Sequence, residues 1–253
     1  MKPLILVTND DGIYSKGIRS IISVAINFGE VVVVAPDKPQ SGMGHAITIN
    51  NPLRLNKVNL MAGVLAYSTS GTPVDCVKLG LFEILKKKPD LIISGINHGE
   101  NTSTNVLYSG TMSAAVEGAM ESIPSIGFSL ADFDSDADFN ASSIIASKII
   151  KKVLSIDFPS NICLNVNIPK LPFEEIKGIK TCKQANAFWN DRFEKRTDQF
   201  GNDYYWLTGD FCERVQGRDT DLYAIRNGYV SIVPTHFDMT AHHLIKQVKN
   251  WKL

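Results

Sequence analysis

Five short strand-like segments, spaced by stretches of helical periodicity, dominate the first two thirds of the chain. Leu4–Thr8 is a continuous apolar run. Glu30–Ala35 (EVVVVA) is a second, closed by Pro36, and Asp90–Ser94 (DLIIS) and Ser125–Ser129 (SIGFS) follow, while Ile162–Ile168 (ICLNVNI) alternates. Consecutive apolar residues are what a strand buried on both faces requires. Between the strands, residues 16–28 set Ile18, Ile21, Ile22, Ala25 and Ile26 on one helical face. Residues 73–85 read as a helix opened by Pro73, with a lysine triplet at its solvated end. The small-residue segment SAAVEGAM and the amphipathic stretch 140–154 predict two further helices. This alternation implies an α/β fold, a mostly parallel sheet flanked by helices on both faces. Residues 45–70 carry shorter β-like pieces and an Asn-Asn-Pro turn at 50–52, which fits a hairpin inserted beside the sheet.

With 253 residues the chain can bury a full core, and one large domain is expected over 1–253. Within it, 1–172 forms the α/β core. The strand–helix alternation then stops, and 173–253 reads as a β-rich arm, a return strand and a C-terminal helix. Phe188, Trp189, Phe193, Phe200, Tyr204, Tyr205, Trp206 and Phe211 crowd this region. They suit either a local core or an extended arm that buries them on another subunit. Asp238–Val248 has a helical pattern, on which Asp238 and His242 read as a surface pair.

Lys+Arg 26 balances Asp+Glu 26, so no basic excess exists to hold a nucleic-acid duplex. No segment approaches membrane-spanning length, and the apolar run at the N-terminus is too short for a signal core. Four widely spaced cysteines without a CxxC pair read as reduced thiols, and the expected location is cytoplasmic.

In an open parallel sheet, ligands bind beyond the carboxyl ends of the strands. Three loops that follow strands carry unusual polar residues: NDDG (9–12), PDKPQSGMGHA (36–46) and SGINHGENTSTNVLYSGT (94–111). Adjacent Asp10 and Asp11 repel unless a cation or proton lies between them. They suit a hard divalent ion, with neutral oxygens such as Ser41 or Asn97 as further donors. Taken alone, the Asp-Asp-Gly motif more often marks a turn in which one aspartate caps a helix and the other is solvated. Ser109-Gly110-Thr111 opens a helix, where free N–H groups, hydroxyls and the helix dipole favour an anion. Either hydroxyl could also be an ordinary N-cap, although a cap leaves the density of Asn and Gly before it unexplained. The sequence holds no GxGxxG, GxxxxGK[ST] or GxSxG motif, and its histidines lack HExxH spacing.

VTNDDGI (7–13), APDKPQSGMGHAIT (35–48), SGTPVDCV (70–77), SGINHGEN (94–101), YSGTMSAAVEGA (108–119) and TDLYAIRNGYVSIVP (220–234) resemble, in order, the successive blocks of the SurE (survival protein E) family of nucleotidases. The resemblance implies a Rossmann-like sheet and a divalent-metal-dependent phosphomonoesterase. Its substrates would be nucleoside 5'-monophosphates, with 3'-monophosphates and short polyphosphate as further ones. It implies one Mg²⁺ or Mn²⁺ per subunit on Asp10, Asp11, Ser41 and Asn97, and a phosphate on Asn101, Ser109, Gly110 and Thr111. It also implies a homodimer or homotetramer built through the C-terminal arm. Three positions depart from the family pattern: Ser103 stands where Gly is expected, Asn105 where Asp is usual, and Met112 where Val is commoner. Asp10 and Asp11 are the expected catalytic residues, and Asp10, a carboxylate in these loops, is the candidate to orient or deprotonate a water. The competing readings are a non-catalytic nucleotide-binding protein and a different metal hydrolase, such as a deacetylase, on a similar sheet.

Overall fold

The structure is a computed structural model that describes residues 2–214 and 217–251. Residues 215, 216, 252 and 253 of the expected C-terminal region lie outside the described residues. In chain order the strands are β1 (Leu4–Thr8), β2 (Glu30–Pro36), β3 (Leu55–Val58), β4 (Leu65–Thr69), β5 (Leu91–His98), β6 (Ser125–Leu130), β7 (Cys163–Ile168), β8 (Ile179–Thr181), β9 (Ala187–Thr197), β10 (Asp203–Glu213) and β11 (Val230–Thr235). The helices are α1 (Lys16–Ala25), α2 (Pro73–Leu79), α3 (Gly110–Met120), α4 (Asn140–Leu154), α5 (Asp221–Arg226) and α6 (Ile245–Lys249).

Nine strands form one sheet in the order β3-β4-β2-β1-β5-β6-β7-β11-β8. From β4 to β7 every neighbour is parallel. At the margins β3 runs antiparallel to β4, and β11 antiparallel to β7. The two-residue period of the strands sorts the core into two layers. Ile5 and Val7 of β1 face α1 and α4, where they meet Ile18, Ile21, Ile22, Ile145 and Ile149. Leu4 and Leu6 face the other way, with Cys76 and Val77 of α2 and Ala114 of α3. Helices on both faces explain why the parallel strands read as unbroken apolar runs.

Several boundaries differ from the sequence reading. The helix expected over 16–28 ends at Ala25, where loop-type bonds, among them Phe28 N–H to Ala25 O at 2.9 Å, close it. The helix expected over 73–85 is α-helical only to Leu79 and continues as a π-helical turn over Gly80–Ile84. Its start is secured by a capping box in which Thr72 and Asp75 satisfy each other's backbone N–H. The hairpin turns at 59–64, not at 50–52, and joins the sheet edge through β4. The C-terminal helix is shorter than expected: a 3-10 turn at His242–Leu244 precedes α6. Asp238 therefore lies outside it, although His242 Nε2 still reaches Asp238 Oδ2 at 2.6 Å.

The strands β9 and β10 stand apart as a two-stranded antiparallel hairpin, paired from Ala187↔Glu213 to Thr197↔Asp203. Only its root is buried, where Ala185, Ala187 and Leu222 pack with Phe211. Phe193, Phe200, Tyr205, Trp206 and Leu207 are exposed. Of the aromatics, Phe211 joins this local core and Trp189 packs on it, while the others named remain on the surface of the single chain.

Candidate active site

The carboxyl ends of β1, β2 and β5 and the N-termini of α2 and α3 meet at Asp10. Asp10 leaves the end of β1 with only 4% of its surface exposed. The Thr111 hydroxyl, in the first turn of α3, donates to Asp10 Oδ1 in a very short hydrogen bond. Gly110 makes this approach possible: a Cβ there would sit 2.7 Å from Asp10 Cβ and 3.1 Å from Pro73 Cγ. Any side chain at 110 would push the helix off the carboxylate.

Asp11, the next residue, is partly exposed and accepts the His98 backbone N–H at 3.1 Å. That bond ties it to the end of β5, beside Asn97. Asn97 reaches this edge through an irregularity in the β5–β6 pairing between Ser94 and Asn97. Its amide nitrogen donates to Gly99 O at 2.8 Å, which orients the side-chain oxygen away from that contact. The Gln40 N–H donates to Asp10 O at 2.7 Å and brings the 36–46 loop alongside. Ser41 follows on an exposed turn.

The two carboxylates strain one another. Burial first, and then the charge of Asp11, push the Asp10 carboxyl up to about 7, against the Thr111 hydrogen bonds that favour its ionised form. Burial also raises Asp11, opposed by the His98 N–H. Among the described residues no ion pair reaches either aspartate. Nor do three His, Cys, Asp or Glu side chains gather in one place there. Donors beyond the aspartates at this edge are therefore neutral oxygens. A buried carboxylate beside a partly exposed one, without a cationic side chain and next to an oriented amide, has the donor chemistry that suits a hard divalent ion.

Ser109 is the N-cap of α3 and takes the Met112 N–H on its Oγ at 3.0 Å. The capping role and a role toward a ligand coexist, because the hydroxyl keeps its own proton to donate. Asn101 is engaged deeper in the sheet. Its amide nitrogen donates to Ser129 Oγ at 2.8 Å, its N–H goes to Asn167 Oδ1 at 2.7 Å, and Asn165 Nδ2 donates to its carbonyl at 2.8 Å. The structure thus gathers Asp10, Gly110 and Thr111 in direct contact. Asp11 and Asn97 join through the end of β5, and Ser109 through the α3 cap, while Asn101 Nδ2 bonds Ser129 Oγ and ties its loop to β6. One cavity of about 540 Å³, lined by Leu130, Asn140, Ile144, Lys170 and Phe173, contains none of these residues.

Sequence reasoning missed the parts that hold the loops in place. Buried Glu117 on α3 pairs with Lys78 Nζ at 2.5 Å and His45 Nε2 at 2.8 Å, linking α3 to α2 and to the Ser41 loop. Fully buried Asp221 accepts the Ser103 N–H at 2.9 Å and the Ala185 N–H at 2.9 Å, tying the 99–109 loop to the root of the arm. One signal for such positions was visible: Asn165 and Asn167 alternate with apolar residues on a strand otherwise fit for the core.

The three departures from the family pattern have local reasons. Ser103 sits at φ +55°, a left-handed conformation that favours glycine. Its hydroxyl compensates by donating to Ala185 O at 3.1 Å and accepting the Ala187 N–H at 3.0 Å. Asn105 accepts the Trp189 indole N–H at 2.8 Å, a bond to the arm that its amide oxygen serves without charge. Met112 is buried, and its sulfur lies 2.4 Å from where a Cβ on Gly127 would be, so the longer side chain fills space that glycine leaves.

Comparison with known proteins finds relatives along the whole chain. The family model described as "Survival protein SurE" matches residues 5–191. The 5'-nucleotidase SurE of Flavobacterium psychrophilum is 59% identical over 253 residues, covering 100% of this chain and 98% of its own. That of Bacteroides fragilis is 45% identical with the same coverage. The crystal structure of the SurE protein from Aquifex aeolicus superimposes with a TM-score of 0.84 at 41% identity, covering 98% of each chain. With Asp10, just beyond β1, set against its Ser-Gly-Thr helix start, and with these relatives along its full length, the chain belongs to the survival protein SurE family.

Proposed function

We propose that the protein is a divalent-metal-dependent phosphomonoesterase, a 5'-nucleotidase that hydrolyses nucleoside 5'-monophosphates to nucleoside and phosphate. The observation that carries this reading is the contact between Asp10 and the first turn of α3. A helix N-terminus attracts an anion, and a carboxylate pair beside it repels one. The two make chemical sense together when a cation lies between carboxylates and phosphate. Asp10, Asp11, Asn97 and, from its exposed turn, Ser41 would hold one Mg²⁺ or Mn²⁺ per subunit, which supplies Lewis-acid charge neutralisation when bound.

The chain's own groups account for the rest of the chemistry. Ser109 donates its free hydroxyl proton to a phosphate oxygen, and Gly110 lets the backbone at the helix start approach the same group. Asn101 keeps its loop at the correct height by bonding into β6 and β7. Asp10 orients or deprotonates the attacking water, and Thr111 fixes the direction of its carboxylate. Little covalent work falls to the protein in phosphoryl transfer, so positioning and charge balance suffice. The same phosphate cradle serves nucleoside 3'-monophosphates and the end of a short polyphosphate, which we include as further substrates. The relatives' name, 5'-nucleotidase SurE, supports the 5' preference.

The chain works as a single domain over 1–253, with the core at 1–172 and the arm region at 173–253. The arm joins copies into a homodimer or homotetramer. Its support is the hairpin itself: its eleven-residue strands leave Phe193, Tyr205, Trp206 and Leu207 largely exposed in the single chain. No helix among the described residues is long and apolar enough to cross a membrane, and the free cysteines support a reducing, cytoplasmic setting. Phosphate release from a panel of nucleoside 5'- and 3'-monophosphates and polyphosphate, with Mn²⁺, Mg²⁺ or chelator, tests the activity. Release that needs the metal supports the reading. A folded protein that binds nucleotide but releases no phosphate with either ion would replace it with a binding protein.

A further inference from the structure

The loop that follows β6 holds an aromatic ring out at the edge of the site. Phe133 is 78% exposed, so the ring adds little to the core. It is nevertheless fixed in place. Its Cε1, Cδ1 and Cζ lie 2.2, 2.7 and 2.8 Å from where a Cβ on Gly99 would sit, so the ring edge rests on bare backbone that no other residue would leave free. Both flanking residues are pinned by one lysine: Lys170 Nζ reaches Asp132 Oδ1 at 2.8 Å and Asp134 Oδ2 at 2.7 Å. The Gly99 N–H bonds to both Leu130 O and Asp132 O, at 2.8 and 3.0 Å, and His98 Nδ1 meets Asp134 O at 3.0 Å. The backbone beneath the ring is thereby joined to the residue whose N–H holds Asp11.

Gly99 lies two residues beyond Asn97 and two before Asn101. It bends there at φ +95°, follows His98, whose N–H holds Asp11 at 3.1 Å, and accepts the Asn97 amide on its own carbonyl at 2.8 Å, so the ring resting on it stands beside the proposed metal donors. An aromatic ring seated on this backbone beside a phosphate site, and open to solvent, has the properties of a base-stacking surface. Its rigidity lowers the ordering cost of binding.

We infer that Phe133 is the platform on which the nucleobase of the substrate stacks. The inference rests on the reading that the site takes nucleoside monophosphates, and it adds how the nucleoside half is recognised. Because every base has a π-face, such a platform accepts purines and pyrimidines alike and distinguishes nucleotides from phosphate esters without a base.

The test is steady-state hydrolysis of adenosine 5'-monophosphate and ribose 5-phosphate by the full-length protein with Mn²⁺, for wild type, Phe133→Ala and Phe133→Trp. The ratio of kcat/KM for the nucleotide to that for ribose 5-phosphate falls about tenfold in Phe133→Ala, through KM, as loss of one stacked ring requires. Phe133→Trp keeps the ratio. An unchanged ratio in Phe133→Ala, or equal losses on both substrates, would overturn the platform while leaving the phosphatase reading intact. A wild type inactive on both esters would overturn that reading and the platform with it.

Discussion

Replacing Asp10 with asparagine should make the metal-free protein more stable while abolishing its activity. An aspartate whose ordinary value is 3.8 but which is held at about 7 costs on the order of 4 kcal/mol to ionise inside the fold at neutral pH. Asparagine removes that cost and keeps an oxygen for the Thr111 hydroxyl, but its amide N–H groups need acceptors in a buried place. A net gain of about 1–3 kcal/mol is expected, which for a chain of this size raises Tm by roughly 3–10 °C. The pH dependence has a fixed sign. Because the folded-state value lies above the unfolded one, the native state binds the proton more tightly. Its stability is then fullest below pH 4 and declines as pH rises toward 7. The gap between variant and wild type accordingly opens between about pH 4 and pH 7 and is constant above. Thermal melts in chelator near pH 4 and pH 8, with phosphate release measured on the same preparations, read all of this. An Asp10→Asn protein that melts at or below wild type at pH 8 would refute the burial and repulsion argument. One that keeps near-wild-type turnover would refute the catalytic role.

Gly110→Ala improves the intrinsic helix propensity of α3 but drives a methyl to within 2.7 Å of Asp10 Cβ. Activity should fall by roughly 100-fold or more with the far-ultraviolet dichroism unchanged. Asp221→Asn turns one acceptor toward N–H groups as a donor. A loss of about 1–3 kcal/mol in denaturant melts is expected, with a raised KM because the 99–109 loop loses its tie to the arm root. Lys78→Met strips buried Glu117 of one partner. Burial pushes that carboxyl up, but His45 and Lys78 hold it below the ordinary range, so its contribution to stability is present above that range and is lost as pH falls. The variant should be destabilised by about 1–3 kcal/mol at pH 8 and by less near pH 4, in matched urea melts.

The sheet was legible because burial on both faces forces apolar runs, and four of the five predicted strands lie within a residue of their observed ends. The fifth, DLIIS, continues past Ser94 to His98 because, after a break in register, Asn97 and His98 resume pairing with β6. Side-chain patterns carry no trace of such pairing. The convergence of Asp10 with Ser109-Gly110-Thr111 could be anticipated, since parallel strands place their carboxyl-end loops together. That Asn101 turns into the sheet could not, because its partners Ser129 and Asn167 lie 28 and 66 residues away. The C-terminal helix was overread for a related reason. Its periodicity is genuine, but α6 buries none of its residues in the single chain, so no packing extends it back to Asp238.

Calorimetric titration of Mn²⁺ into metal-free wild type and Asp11→Asn, with phosphate release from a nucleoside 5'-monophosphate followed in the same samples, tests the central claim most directly. The account predicts one ion per subunit in the wild type, turnover that rises with occupancy, and loss of both in the variant. Turnover that persists in Asp11→Asn, or that does not change as the wild type fills with metal, would contradict it.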